Sequence, residues 1–293
     1  MANRPPTIRM RRLGAHLRRL REEQGLSLEE AATFLRFSRS ALARMENAQV
    51  ITRPRDVEYI LLKYGVEDEE LRAKMLGLAS AGRSQEWVKR HGALVSAKPP
   101  LEYVPLEQDS SRIRAYHPTN VFGLLQTDEY ARAIMNPFGN APEDRLSRSV
   151  EYRMARKEAL TRPDPLSLYA ILGEAVLRQQ IGGPAVLERQ LRYLLAAFEQ
   201  DNVHLRVLPF TAPRNPGVDG AFCILDVEEG NFSVVVLESR LNSVFMERDE
   251  GIDVYATIFD ELWAVALTAD ESRELVEGAM LDVRSSSGRG ANS

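Results

Sequence analysis

Basic side chains are concentrated at the start of this chain of 293 residues. Residues 1–65 contain 13 Lys and Arg against 7 Asp and Glu, a net charge of +6, although the whole chain carries −4. The remaining residues therefore carry −10. Guanidinium and ammonium groups bind phosphate oxygens, and a basic segment on an acidic body is typical of a protein that meets a polyanion through one domain. Chance clustering of charges on a solvated surface is the alternative interpretation.

The side chains that most often perform catalysis or bind metals form no recognisable motif. The four histidines, His16, His91, His117 and His204, lack the spacing of zinc ligands, and none is followed two residues later by Lys, as phospholipase D chemistry requires. The sequence also contains no Gly-x-Ser-x-Gly, no Walker A motif and no His-Glu-x-x-His. We therefore expect no enzyme activity, no metal and no cofactor.

Cys223 and three carboxylates are the remaining candidates for chemistry. Cys223 is the single cysteine and lies in an apolar run, which favours a core position over a nucleophile. Glu174, Asp226 and Glu238 follow or interrupt predicted strands and could line a pocket. Carboxylates at such positions more often face solvent, so the solvated interpretation is the more common one.

Length and composition predict about two folded domains, since 44% of the residues are hydrophobic. No apolar run approaches the roughly 18 residues of a membrane span. The basic N-terminus also lacks the apolar run of a secretory signal. We expect a cytoplasmic protein without a membrane partner.

Helical periodicity and capping residues predict a compact all-α bundle at residues 10–64, with a fifth helix leading out of it. Gly25 ends the first helix, and Ser27 with Glu30 forms a capping box that begins the second. Ser38 caps the third helix, and Pro54 begins the fourth. The predicted helices begin near Leu13, Ser27, Ser38, Pro54 and Glu67, and the last of them ends near Ala81.

Residues 26–32 and 37–47 together resemble the lambda-repressor-like helix-turn-helix of Xre-type regulators. They read Leu-Ser-Leu-Glu-Glu-Ala-Ala and Phe-Ser-Arg-Ser-Ala-Leu-Ala-Arg-Met-Glu-Asn. In that family the second of the paired helices lies in the major groove of DNA. The resemblance implies that the base-facing residues are Ser38, Arg39, Ser40 and Arg44. Arg39 is the best candidate for direct readout, because its planar guanidinium can donate two hydrogen bonds to O6 and N7 of guanine.

The same resemblance implies a brace behind the third helix. It pairs Glu46 with Arg21 in a partly buried ion pair that joins the third helix to the first. Leu42 and Met45 lie on the side of the helix opposite the base-facing residues, where we expect them to pack in the core.

Two positions depart from the family pattern. Leu28 stands where many relatives have a Gln that contacts a phosphate, and Ala48 stands where Gly is usual. The second departure requires a non-glycine residue to form the turn after the third helix. Other expected phosphate contacts are Ser27, Thr52, Arg53 and a flexible basic arm at residues 1–9, continued by Arg11 and Arg12. The alternative for the arm is a disordered solubilising tail.

Beyond the helix-turn-helix domain, predicted at residues 10–81, strands alternate with helices. Residues 82–111 contain several Gly and Pro and predict a linker with one short helix around Trp87. Residues 112–284 predict an α/β regulatory and dimerisation domain, and 285–293 a disordered tail. The predicted helices span 127–134, 144–160, 184–199, 253–267 and 270–281, and the predicted strands 166–172, 203–208, 221–227 and 233–237.

Several blocks of this second region are similar to a subset of Xre-type regulators, the antitoxin-like (Scr-type) regulators of filamentous sporulating bacteria. The blocks are Trp87-Val-Lys-Arg-His-Gly92, Ser111-Arg-Ile-Arg-Ala-Tyr116, Gly123-Leu-Leu-Gln-Thr127 with Tyr130-Ala-Arg132, and Val207-Leu-Pro-Phe210. Many such proteins are encoded beside a small partner protein, which the resemblance therefore implies here. The order of helices and strands is also similar to a phospholipase D-like sheet, which is an analogy of fold alone.

These patterns predict a multidomain protein, an all-α lambda-repressor-like bundle followed by a mixed α/β domain. We expect a sequence-specific transcriptional regulator that binds a double-stranded DNA operator as a homodimer, because one such helix reads about half an operator. Its C-terminal domain would bind a small partner protein or a small-molecule effector. The alternative from another class is a protein-interaction scaffold without DNA binding, which the Leu28 departure favours.

Overall fold

The computed structural model describes residues 6–80, 82–92, 102–213, 215–228, 230–238 and 242–289. These residues divide into two compact units. The first comprises the described residues up to Gln85 together with Val227–Phe232. The second comprises Glu86–Asp226 and the described residues from Ser233 onward. The predicted order is confirmed: a helical N-terminal region precedes a C-terminal domain built on a mixed sheet.

Five helices with well-formed N-termini build the first unit. They are α1 Ile8–Glu23, α2 Leu28–Leu35, α3 Arg39–Glu46, α4 Pro54–Lys63 and α5 Glu69–Ala79. Thr7, Ser27, Ser38 and Asp68 each accept a hydrogen bond from a backbone N–H of the first turn, and Pro54 occupies the first turn of α4. Such caps satisfy N–H groups that have no partner inside the helix. The core between the helices contains the fully buried side chains Leu17, Leu35, Leu42, Ile60 and Leu61.

The start of α1 differs from the prediction. The helix begins at Ile8 rather than near Leu13, so the last residues of the predicted flexible arm are ordered. Ile8 is completely buried, and the Arg9 guanidinium donates to the carbonyl oxygen of Gly77 at 2.8 Å. The residues of the predicted arm before Pro6 lie outside the described residues.

A sheet of six strands, in the order β3-β2-β1-β4-β5-β6, organises the second unit. The strands are β1 Ser110–His117, β2 Ser167–Gly173, β3 Val203–Leu208, β4 Phe222–Val227, β5 Phe232–Glu238 and β6 Ser243–Met246. Strands β1, β2 and β3 are parallel, with Ile113 opposite Leu168 and Leu168 opposite Val203. Strands β5 and β6 are antiparallel. The carboxyl ends of β1, β2 and β3 therefore lie at the same edge.

The helices that follow α5 in the chain are α6 Gly82–His91, α7 Tyr103–Asp109, α8 Asp128–Met135, α9 Glu143–Ala155, α10 Glu158–Thr161, α11 Ala175–Arg178, α12 Pro184–Ala197, α13 Asp249–Val265 and α14 Ala269–Arg289. Short 3-10 turns occupy Gly123–Leu125 and Pro216–Asp219. One core cluster joins the sheet to α13 and includes Tyr116, Ile171, Phe222, Phe259 and Leu262. Within the described part of the chain, no helix combines the length and apolar composition of a membrane span.

The structure differs from the prediction most at the linker. Residues 82–111 contain α6, α7 and the first residues of β1. Helix α7 is held in the interior by Tyr103, Val104 and Leu106, which are 1–3% exposed. Its Glu107 forms a buried bidentate ion pair with Arg156, at 2.8 and 2.7 Å. Only the part of the predicted linker between α6 and α7 lies outside the described residues.

The structure also differs from the prediction in the number of strands, in one helix and at the C-terminal end. Strands β1 and β6 were not predicted, and the predicted helix 144–160 is divided into α9 and α10. Helix α14 continues to Arg289, into the predicted disordered tail, and Val283 on it is 6% exposed. Residues 290–293 of that tail lie outside the described residues.

Candidate nucleic-acid interface

Helix α3 presents three of the predicted base-facing side chains to solvent. Arg39 begins the helix, and Arg39, Ser40 and Arg44 are all exposed. The exposed Ser38 caps the helix, because its Oγ accepts a hydrogen bond from the N–H of Ala41 at 3.1 Å. Leu42 is 1% exposed and anchors the opposite side of the helix in the core, as predicted, whereas Met45 is half-buried.

The arginines around α3 differ from those of α1 in their partners. Arg18 and Arg19 form ion pairs with Glu22 and Glu23, at 2.9 and 2.7 Å. In contrast, the side chains of four exposed arginines form neither a hydrogen bond nor an ion pair with any of the described residues. They are Arg36, Arg39, Arg44 and Arg53. Each guanidinium keeps its N–H donors available for a phosphate or a base edge.

The capping box predicted at α2 is confirmed. The Oγ of Ser27 accepts from the N–H of Glu30 at 3.3 Å, and the Glu30 carboxylate accepts from the N–H of Ser27 at 2.8 Å. Ser27 is exposed, and its hydroxyl also interacts with the Glu30 carboxylate. The Glu30 carboxyl is fully exposed, and the bonds from Ser27 hold its pKa below its ordinary value.

Thr52 and Arg53 occupy different environments although both were predicted to contact phosphates. Arg53 is exposed at the N-cap of α4, where its side chain forms no capping bond. Thr52 is 4% exposed. Most of the Thr52 residue is therefore buried, and its contact with a phosphate stays a prediction.

The predicted ion pair between Arg21 and Glu46 is confirmed. The Nε and Nη2 atoms of Arg21 donate to the two carboxylate oxygens of Glu46 at 2.8 and 3.0 Å. Nη1 of Arg21 donates to the carbonyl oxygen of Leu26 at 2.8 Å. The two side chains are 11% and 5% exposed, and the hydrogen bond to Glu46 raises the pKa of Arg21 above its ordinary value. This bidentate pair fixes the end of α3 against α1.

A close approach of the two helices was missed in the sequence. A Cβ atom at Gly14 would lie 2.5 Å from the carbonyl oxygen of Glu46, so only glycine fits where α1 meets the end of α3. The signal was available as a glycine inside a helical pattern. Ala48, the non-glycine residue at the turn after α3, adopts the left-handed conformation with φ +56°, and Arg36 in the turn between α2 and α3 does the same at +55°.

Cys223 and the three carboxylates of the second unit lie in different surroundings. Cys223 is 3% exposed, as the core interpretation predicted, and burial raises the pKa of its thiol. Asp226 accepts hydrogen bonds from Arg112 at 2.7 Å and from the hydroxyl of Ser233 at 2.6 Å. Glu238 is exposed at the end of β5, and Glu174 lines a cavity. Among the described residues, no group of three His, Cys, Asp or Glu is arranged to hold a metal ion.

Comparison with known proteins agrees with the division of the chain. A model of a helix-turn-helix domain matches residues 12–75, and a model of a domain of unknown function (DUF5753) matches residues 101–278. Neither the curated proteins nor the solved structures gave a significant match. The second model covers more than half of the 293 residues. The chain therefore belongs to the DUF5753 family and carries a helix-turn-helix domain ahead of the domain that defines it.

Proposed function

We propose that the protein is a sequence-specific, DNA-binding transcriptional regulator of the Xre type. The observation that carries this proposal is the exposure of Arg39 and Arg44 on α3, where no described residue occupies their N–H donors. The match to a helix-turn-helix domain and the net charge of +6 on residues 1–65 support it. The Arg21–Glu46 pair supports it as well, because a reading helix must be held rigidly.

In this proposal α3 enters the major groove by its N-terminal end. Arg39 donates two hydrogen bonds to O6 and N7 of a guanine, while Ser38, Ser40 and Arg44 contact neighbouring base edges. Arg53 and Ser27 lie at the starts of α4 and α2, where they contact phosphates and fix the register of the helix on the duplex.

The second unit supplies regulation rather than catalysis. We infer that the protein binds its operator as a homodimer, since two copies read two half-sites about 34–36 Å apart. The resemblance to antitoxin-like regulators supports a small partner protein that docks on the acidic C-terminal domain in the cytoplasm and changes the affinity for DNA.

The experiment selects operators from a random library of duplexes with the full chain, and then measures the affinity of variants for the selected site. Arg39→Ala should weaken binding by about 1–3 kcal/mol at that site and relax the base preference at one position. The matched control is Arg192→Ala, an exposed arginine of α12, which should bind with the affinity of the unmodified protein.

Two results would contradict the proposal. Recovery of no preferred sequence would favour the scaffold without DNA binding. A preferred sequence that Arg39→Ala binds with unchanged affinity and unchanged base preference would remove Arg39 as the reading residue.

A further inference from the structure

An open cleft lies at the carboxyl edge of the parallel part of the sheet. Its volume is about 580 Å³, within the range of small-molecule sites. Residues from the carboxyl end of each parallel strand, or directly after it, line the cleft, among them Tyr116 and Pro118 for β1, Glu174 for β2 and Pro209 for β3. In open α/β sheets, ligands bind outside the carboxyl ends of the strands.

Two glycines that line the cleft make close contacts with neighbouring residues. A Cβ atom at Gly173 would lie 2.5 Å from the carbonyl oxygen of Pro118, so the exits of β1 and β2 meet only because residue 173 is glycine. Gly217 lies against the Tyr116 phenol in the same way, since its Cβ would be 2.6 Å from the hydroxyl oxygen. One wall of the cleft is therefore fixed by a contact between two backbone segments, and another by the contact of the Gly217 backbone with the Tyr116 ring.

Among the described residues that line the cleft, Glu174 carries the charge. One carboxylate oxygen accepts the N–H of Phe210 at 3.0 Å, and the other lies 3.5 Å from Nη2 of Arg178. Arg178 makes its shorter contact, at 2.7 Å, with Asp282. None of the described residues that line the cleft is Lys, Arg or His. The cleft thus favours a cation and disfavours an anion.

Apolar and hydroxyl groups define the rest of the lining. The rim carries the apolar side chains of Phe210 and Val218, which are 69% and 85% exposed. The hydroxyl of Tyr116 receives no hydrogen bond from any described residue and donates none to them. It is therefore available to a polar substituent of a ligand.

We propose that this cleft binds a small organic amine with an apolar body. The ammonium group pairs with the Glu174 carboxylate, the apolar body packs against Phe210 and Val218, and the Tyr116 hydroxyl bonds a polar substituent. This inference does not depend on DNA binding by the first unit.

The test titrates the full chain, in an isothermal calorimeter, with three probes that share a phenyl ring and differ in charge. They are 2-phenylethylamine, 2-phenylethanol and 3-phenylpropanoate. The amine should bind with a dissociation constant of about 1 mM or lower, and the alcohol and the carboxylate at least about tenfold more weakly. Tyramine, which adds a phenolic hydroxyl, should bind more tightly than 2-phenylethylamine, and this gain should disappear in Tyr116→Phe.

Substitutions of residues that line the cleft test whether the amine binds there. Glu174→Gln should lose at least about tenfold in affinity for the amine. The matched control, Glu261→Gln on the exposed side of α13, should lose none. Phe210→Ala removes an exposed ring without disturbing the core, and it should weaken the amine severalfold even if Glu174→Gln alters the fold.

Three results would overturn the inference: no saturable binding of either amine, binding of the carboxylate as tight as that of the amine, or unchanged affinity in both Glu174→Gln and Phe210→Ala. None of these results bears on operator selection by α3, which is measured separately on DNA.

Discussion

His117, at the end of β1, is held in its neutral form by its surroundings. Burial lowers its pKa from 6.5 to about 4, against the opposing effect of the hydrogen bond between its Nδ1 and the side-chain oxygen of Asn120 at 2.9 Å. The Arg153 guanidinium acts in the same direction as burial. Protonation of His117 therefore costs free energy in the folded state that it does not cost in the unfolded chain.

The pKa of His117 predicts how stability depends on pH. Between pH 6.5 and about 4 the unfolded chain binds the proton and the folded chain does not, so the free energy of unfolding falls as the pH drops through this window. The glutamine of the variant His117→Gln cannot titrate. Between pH 7.5 and 4.5, the free energy of unfolding of this variant should therefore fall by about 2 kcal/mol less than that of the unmodified protein. Urea unfolding at several pH values measures the difference.

His16 serves as an internal control for this experiment. Burial lowers its pKa as well, and it is present in both proteins, so its contribution cancels in the comparison. Parallel stability curves for the two proteins would show that His117 does not carry the acid sensitivity.

Some single-residue features could be predicted from the sequence, and others could not. The Arg21–Glu46 pair and the non-glycine turn at Ala48 followed from a family resemblance, which fixes the relation of neighbouring short helices. The burial of Thr52 and the Glu107–Arg156 pair were missed. The second pair joins residues 49 positions apart, and no local pattern reports which distant carboxylate a buried arginine meets.

At the scale of elements, helix α3 lies between two non-glycine residues in the left-handed conformation. Arg36 at φ +55° forms the turn before α3, and Ala48 at φ +56° forms the turn after it. For an L-residue this conformation costs about 1–2 kcal/mol, because Cβ approaches the following carbonyl oxygen. Glycine avoids the cost but loses more conformational entropy on folding.

Relief of this strain at Arg36 should stabilise the helix-turn-helix. Arg36 is exposed and has no partner among the described residues, so Arg36→Gly removes strain without removing a contact. We expect a gain of about 0.5–1 kcal/mol in the free energy of unfolding, after the entropy of the added glycine is subtracted. Arg36→Ala keeps the Cβ atom and should give no such gain. Equal stability of the two variants in urea would contradict the strain at this turn.

Elements were predictable wherever local chemistry marks their ends. Helices α2, α3 and α4 begin at capping residues or at a proline, and those signals need no tertiary information. Strand β1 was missed although it forms a central strand of the sheet. Its buried Ile113 and Ala115 alternate with Arg112 and Arg114, and those charges are tolerated because Asp226, more than 100 residues later, pairs with both.

At the scale of the whole molecule, charge is divided unequally along the chain. Residues 1–65 carry +6 and the remainder −10, so the overall value of −4 hides a basic DNA-binding region. The dependence of DNA affinity on salt concentration should distinguish contacts to phosphates from contacts to base edges. Phosphate contacts release condensed counterions on binding, whereas contacts to base edges release few.

The salt dependence of binding should distinguish Arg53 from Arg39. Arg53→Ala should weaken binding to all duplexes alike and reduce the slope of log affinity against log salt concentration by about 1, because one phosphate contact is lost. Arg39→Ala should change the base preference and leave the slope nearly unchanged. Fluorescence anisotropy over about 50 to 200 mM salt measures both, with Arg148→Ala, an exposed arginine of the second unit, as the control of unchanged slope. If Arg53→Ala kept the full slope while Arg148→Ala reduced it, the phosphate-binding surface would lie in the acidic part of the chain, contrary to the charge distribution.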